Sequence, residues 1–186
     1  MGMTDSYISL EGKTAVITGA GQGIGLAVAK LFVKYGAKVA MIDHSGRSAG
    51  EAEKIGANAK AYRCDVANEE AVKKTVGDIL KDFGKIDILV NNAAMIVRKN
   101  VVDTTAEEWD QAMNVGVKGT FLFCKYVMPG MLANGGGNII NTASGCAIKA
   151  APGAFSYNAV KGAVAAMTRA MAIDYADQNI RVNCVC

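Results

Sequence analysis

Tyr157 and Lys161 lie four residues apart in the stretch Tyr157-Asn158-Ala159-Val160-Lys161. On a helix, that spacing puts a phenol and an ammonium on one face, one turn apart. Tyrosine ordinarily ionises near pH ~10, and a cation within a few ångströms lowers that by ~1–3 units. Such a pair can give and take a proton near neutral pH, which hydride transfer to or from a carbonyl carbon requires. The same spacing also arises by chance, and then describes a partly buried tyrosine beside a solvated lysine.

A second cluster offers a seat for a cofactor. Gly19, Gly23 and Gly25 fall in Thr18-Gly19-Ala20-Gly21-Gln22-Gly23-Ile24-Gly25, directly after the apolar run Ala15-Val16-Ile17. Ile24, Ala27, Val28, Leu31 and Phe32 then recur along one face of a helix. A strand-to-helix turn leaves unpaired backbone N–H groups at the positive end of a helix dipole, where a phosphate can sit. The spacing is G-x-x-x-G-x-G rather than G-x-G-x-x-G. Alone it marks only a tight turn, but between a strand and an amphipathic helix it points to a dinucleotide site. Asp43 closes the second apolar run, where a carboxylate can accept hydrogen bonds from an adenosine ribose and repel a 2′-phosphate. That favours NAD(H) over NADP(H). Arg47 and His44 stand close enough to pair with a phosphate instead, and Asp43 could equally cap a turn.

The whole chain narrows the possibilities. It has 186 residues, 51% of them hydrophobic and 20% charged, which suits one globular domain with a sizeable core. The net charge of +3 is too mild and too evenly spread for a nucleic-acid surface. The five cysteines form no C-x-x-C pair, which fits neither a disulfide framework nor a zinc site and favours a reducing compartment, the cytoplasm. His44 is the only histidine, so neither a Ser/His/Asp triad nor a histidine-based metal site is expected. Met1 to Leu10 is too polar for a signal peptide. The uncharged span from Tyr126 to Ile148 is broken by Pro129, by Gly135-Gly136-Gly137 and by asparagines, so no membrane helix is expected.

The elements that must position these groups alternate. Strands are expected near 13–18, at 39–42, 60–64, 86–90, 138–141 and 180–185. Helices are expected over 23–35 and 47–55, from Glu69 to Phe83 with Asn68 as its N-cap, from the capping-box pattern Thr105-Ala106-Glu107-Glu108 towards Met128, and over 155–176. Short apolar strands separated by helices imply a parallel sheet covered on both faces, wound in two directions from its centre.

Taken together, these motifs resemble the short-chain dehydrogenase/reductase family. The glycine turn matches its cofactor turn. Asn91-Asn92-Ala93-Ala94 matches its Asn-Asn-Ala-Gly motif, with Ala94 where glycine is usual. Asn114 and Ser144 fall where the family carries a catalytic asparagine and serine, Tyr157 and Lys161 complete the set, and Arg181-Val182-Asn183 opens the sixth strand as in the family. The resemblance runs from about Leu10 to the last residue. It implies a Rossmann-like doubly wound α/β sheet, with residues 1–186 forming a single NAD(P)-binding domain that also carries the catalytic residues.

The resemblance also implies roles. Tyr157 would be general acid in reduction and general base in oxidation. Lys161 would lower the tyrosine pKa and hold the nicotinamide ribose, Ser144 would bond the substrate oxygen, and Asn114 would hold a water linking Lys161 to solvent. Gly19, Gln22, Gly23, Ile24, Gly25 and Asp43 would hold the cofactor, with Asp65 and Val66 at the adenine and Asn91 and Ala93 beside it. Without the family, Asn114 is an ordinary polar helix residue, Ser144 a turn residue and Asp65 a cap. No metal is needed, since the cofactor carries the hydride.

Family members continue past the sixth strand with a Pro-Gly turn, a mobile segment over the substrate, another helix and a seventh strand, elements that also serve dimer or tetramer contacts. The C-terminal part of the usual fold is absent from these residues, so the chain is expected to be a fragment of a longer one. If it were complete, the sixth strand would be a naked sheet edge and the pocket would lack its cover. The expected activity is NAD-dependent oxidation of a secondary alcohol or reduction of its ketone. A nucleotide-binding protein without turnover and a 3-oxoacyl reductase using NADPH are the alternatives. The partners expected are a small-molecule substrate and, at full length, further copies of the chain.

Overall fold

The computed structural model describes residues 9–186. The polar amino-terminal stretch read above lies outside them, apart from Ser9 and Leu10. The apolar runs form β1 (Thr14–Thr18), β2 (Lys38–Asp43), β3 (Ala59–Arg63), β4 (Ile88–Asn91), β5 (Gly137–Thr142) and β6 (Ile180–Val185). They pair in parallel in one sheet of order β3-β2-β1-β4-β5-β6. The chain winds outward from β1 through β2 to β3, then crosses back to β4 on the other side of β1. That reversal opens a crevice beyond the carboxyl ends of β1 and β4, where ligands of such sheets bind.

Helices α1 (Gly23–Lys34) and α2 (Ser48–Ile55) cover one face. Helices α3 (Glu69–Phe83), α4 (Ala106–Met113), α5 (Gly119–Ala133) and α6 (Phe155–Asp174) lie on the other. The larger core lies between the sheet and α3 and α5, with Leu89, Ile139, Val72, Ile79, Leu122, Phe123 and Met131 fully buried. Each such side chain contributes roughly 1.5–3 kcal/mol when it leaves water. The smaller core gathers Ile17, Val39 and Met41 under Ala29 and Ala52. The expected cover is partial on that side. Beside α1, the sheet over β5 and β6 is an open depression of about 360 Å³ lined by Leu31, Phe32, Ile140, Arg181 and Asn183.

Two further expectations change. Helix α1 buries Gly25 and Ala29, while Ile24, Ala27 and Leu31 of the expected apolar face are exposed. Val28 and Phe32 of that face are half-buried against the smaller core, and the small residues let the helix backbone lie close to the β1 turn. The helix expected between Thr105 and Met128 contains a fault. Thr105 and Glu108 cap α4 reciprocally, but residues Asn114–Lys118 form one π turn before α5, and α5 runs on through Pro129 to Ala133. The proline removes only the bond to the carbonyl of Lys125, whose side chain is exposed. Elsewhere the capping signals read true: the Asn68 side chain accepts from the Ala71 N–H at 2.9 Å and opens α3. Among the described residues, no helix is long and apolar enough to cross a membrane.

The π turn sits where α4 and α5 meet α6. A Cβ at Gly116 would stand 2.4 Å from Cγ1 of Val160. Gly116→Ala should therefore destabilise the fold by about 1–3 kcal/mol through overpacking. Urea unfolding is expected to show a smaller loss for the same change in a Val160→Ala background.

Candidate active site

The glycine turn is built for close approach. Gly19 and Gly23 have φ of +66° and +56°. A Cβ at Gly25 would lie 2.3 Å from the Gly19 carbonyl oxygen and 2.7 Å from Nδ2 of Asn92. Gln22 is the N-cap of α1, yet its side chain makes no cap bond, and the first turn holds no acidic residue. Among the described residues no side chain caps the first-turn N–H groups, and a Cβ at Gly23 would meet no protein atom within 4 Å. A dinucleotide pyrophosphate fits such a cradle.

Asp43 serves the turn, one of the two uses the sequence left open. Its carboxylate accepts the Gly21 N–H at 3.1 Å and the Ser45 N–H at 2.8 Å, as well as the Ser45 hydroxyl. Burial acts to raise the carboxyl pKa, but the Ser45 hydroxyl and the two N–H donors outweigh it, and the net shift is downward. The group is an anion that ties the end of β2 to the glycine turn. Nearby, Arg47 Nη1 donates to Gln22 Oε1 at 2.5 Å, which sets a guanidinium beside the turn. The His44 carbonyl accepts from Arg63 Nε at 3.1 Å.

The turn is also tied to β4 by Thr18 and Asn92, which the sequence placed within its motifs without a role of their own. Thr18 Oγ1 accepts the N–H groups of Asn92 and Ala93 at 2.9 and 3.0 Å, and Asn92 Nδ2 donates to the Thr18 carbonyl at 3.1 Å. The available signal was a hydroxyl on the last residue of β1 and a carboxamide just past β4, two polar groups at apolar strand ends. Asn91 is buried beneath them. Its Oδ1 finds no donor among the described residues, the kind of acceptor an ordered water satisfies.

The phenol and the ammonium are brought together. Tyr157 and Lys161 lie in the first half of α6, and Lys161 is 97% buried (3% exposed). Its Nζ donates to the Thr142 carbonyl at 2.5 Å and lies 5.5 Å from the centre of the Tyr157 ring. Burial lowers the ammonium pKa. Ser144 lies two residues beyond the end of β5, and its Oγ accepts the Cys146 N–H at 3.1 Å to open a single 3-10 turn. Asn114 is the first residue of the π turn and is exposed. That turn packs through Gly116 on Val160, the residue just before Lys161.

Asp65 is exposed and accepts the Ala67 N–H at 2.9 Å, so it also serves a turn. The Val66 side chain packs in the core against Gly119, so any share in a base contact falls to its backbone. The loop after Ser144 is clasped to α6 at two points. Asn158 Oδ1 accepts the Ala151 N–H at 3.1 Å, and its Nδ2 donates to the Ala151 carbonyl at 2.9 Å. Phe155 stacks on Trp109 at 5.5 Å between ring centres, and Ile148 is exposed on the loop. Among the described residues, no three His, Cys, Asp or Glu side chains gather as a metal site.

The chain is similar to known proteins along most of its length. A family model described as short chain dehydrogenase matches residues 13–186. A 2-(R)-hydroxypropyl-CoM dehydrogenase of Xanthobacter autotrophicus is 40% identical over 182 residues, covering 94% of this chain and 73% of its own. An NAD-dependent glycerol dehydrogenase of Listeria innocua is 36% identical over 182 residues, covering 97% and 72%. The crystal structure of a 3-ketoacyl-(acyl-carrier-protein) reductase from Brucella melitensis complexed with NADH superposes with a TM-score of 0.93 at 40% identity, over 95% of this chain and 75% of that one.

Asp43→Ala leaves the Gly21 and Ser45 N–H groups without their acceptor and should cost about 1–3 kcal/mol at neutral pH. Because the folded carboxyl titrates below its ordinary value of 3.8, this stability is complete above that value and is lost as pH falls through the lowered one. Denaturation midpoints of the two proteins should therefore converge on acidification.

Proposed function

The chain belongs to the short chain dehydrogenase family, and on that footing we propose that it transfers a hydride between NAD(H) and a secondary alcohol or its ketone, with Tyr157 moving the proton. As a member it is an oxidoreductase, and its relatives are dehydrogenases of hydroxyl compounds. The observation that carries the mechanism is the buried Lys161 ammonium, held by the Thr142 carbonyl beside the Tyr157 ring. It keeps a cation beside the phenol that would give and take the proton.

The residues divide the work. Gly19, Gln22, Gly23, Ile24 and Gly25 would hold the pyrophosphate on the first-turn N–H groups of α1, and Asp43 the adenosine ribose. Asp65 and Val66 would stand at the adenine, with Asn91 and Ala93 beside the crevice between β1 and β4. Bound there, the nicotinamide supplies or takes up the hydride. In reduction, the Tyr157 hydroxyl gives its proton to the substrate oxygen; in oxidation, its anion takes it back. Ser144 Oγ donates a hydrogen bond to the same oxygen and stabilises the charge that gathers on it. Lys161 holds the nicotinamide ribose, and Asn114 a water by which Lys161 exchanges protons with solvent. These steps belong to residues 1–186 acting as one domain.

The anionic Asp43 supports NAD(H), as do the NAD-dependent relative and the NADH-bound neighbour. A second reading, a 3-oxoacyl reductase using NADPH, is favoured by the neighbour's own activity and by the guanidinium of Arg47 beside the turn.

The test follows NADH and NADPH absorbance against a panel of secondary alcohols and ketones, including glycerol and a 3-oxoacyl thioester. NADH-linked turnover is expected, and Tyr157→Phe should lower it by about 10²–10⁴-fold while NADH affinity stays near that of the unaltered protein. Substantial activity in Tyr157→Phe would overturn the proton assignment, and a preference for NADPH would overturn the cofactor assignment.

A further inference from the structure

Beneath the Tyr157–Lys161 turn runs a buried polar ladder that, apart from Asn91, the chemistry above does not use. Asn91, Asn141 and Thr168 are 5%, 0% and 4% exposed. Asn91 and Asn141 face each other across β4 and β5. Asn91 Nδ2 donates to Asn141 Oδ1 at 2.9 Å, and Asn141 Nδ2 donates to Thr168 Oγ1 at 2.9 Å. The Thr168 hydroxyl then donates to the Val164 carbonyl one turn back along α6, at 2.8 Å. The other end reaches α5, where Asn91 Nδ2 donates to Cys124 Sγ at 3.3 Å. Burial pushes that thiol up to about 12, so it accepts as a neutral group.

The ladder meets α6 in a particular place. Thr168 lies two helical turns beyond Lys161 on the same face. Its partner Asn141 immediately precedes Thr142, whose carbonyl holds Lys161. Helix α6 is thus bonded to two successive residues of β5 at two points two turns apart. Val160, Val164 and Ala165 are the buried apolar residues of this stretch of α6. Apolar contact rewards burial without direction and tolerates a small slide or roll of the helix. A hydrogen bond between buried groups does not, because displacement leaves both partners unpaired in the core.

We infer that Thr168 and Asn141 are positioning residues, whose hydrogen bond sets the register of α6 on β5 and so keeps the Lys161 ammonium on the Thr142 carbonyl beside Tyr157. The inference rests on the roles proposed above for Tyr157 and Lys161.

Thr168→Val keeps the side chain's shape and removes its hydroxyl. The experiment compares this variant, Thr168→Ser and Asn141→Leu with the unaltered chain below their melting temperatures. It reads kcat on the panel compound that turns over best, the dissociation constant of NADH, and amide hydrogen exchange over residues 155–165. Expected for Thr168→Val are a kcat lower by about tenfold to a hundredfold, weaker NADH binding and faster exchange around Tyr157 and Lys161. Thr168→Ser should restore all three. A Thr168→Val protein that only melts earlier, with unchanged kcat and exchange, would overturn the inference, even if Asn141→Leu fails to fold. Tyr157→Phe run alongside separates the two claims: if it stays active, the functional reading fails, while the exchange rates still decide the role of the ladder.

Discussion

The hydrogen bond from the Lys161 ammonium to the Thr142 carbonyl is the interaction on which the site depends. One charge-assisted hydrogen bond is worth about 1.5–3 kcal/mol, whereas taking an ammonium out of water costs several. Desolvation wins, as the lowered lysine pKa records. The folded chain therefore holds this proton less firmly than the unfolded one does. Between the lowered value and the ordinary 10.5, stability rises with pH as the cation is relieved of its charge. At neutral pH the group is a local cost, and the two apolar cores flanking the sheet offset it. The mechanism proposed above gives a cation in that position a use, beside the Tyr157 phenol.

The rest of the site follows from where the strands end. Thr18, Asp43, Asn91 and Thr142 each close a strand, and each has a polar group turned to a neighbouring element. Asp43 holds the glycine turn from β2, and Thr18 holds the segment after β4. Asn91 reaches across to β5, and Thr142 holds α6. The glycine turn and the Tyr157–Lys161 pair are thereby connected through a run of short, mostly buried contacts along the carboxyl ends of the strands. The crevice between β1 and β4 sits at its centre. Gly116 serves the same end from the other side, by letting the π turn that begins at Asn114 lie against α6.

Much of this was legible in the sequence because it depends on local pattern. Short apolar runs, the Asn68 and Thr105 caps, the glycine turn and the four-residue step from Tyr157 to Lys161 each act within a few residues, so spacing reveals them. The exposed Ile24 and Leu31 of α1 were not legible, since apolar periodicity cannot show that a helix will seat its smallest residues against a backbone turn. The π turn was hidden for a similar reason, as the sequence around Asn114 reads as ordinary helix. The contacts of Thr18, Asn92 and Thr168 join residues far apart in the chain, and only the order of the strands brings them together. Asp43 was read as a ribose acceptor or a turn cap, and its bonds to the Gly21 and Ser45 N–H groups are those of a turn cap.

The most direct measurement is an NMR titration of the lysine Cε signals in a chain carrying ¹³C-labelled lysine, with the Lys161 signal assigned by its absence from Lys161→Arg. A Lys161 midpoint clearly below those of the exposed lysines is the expected result, since only an enclosed ammonium loses its proton early. A Lys161 that titrates together with the exposed lysines would mean that the ammonium stands in water, away from the Thr142 carbonyl and the Tyr157 ring, and would contradict the mechanism at its source.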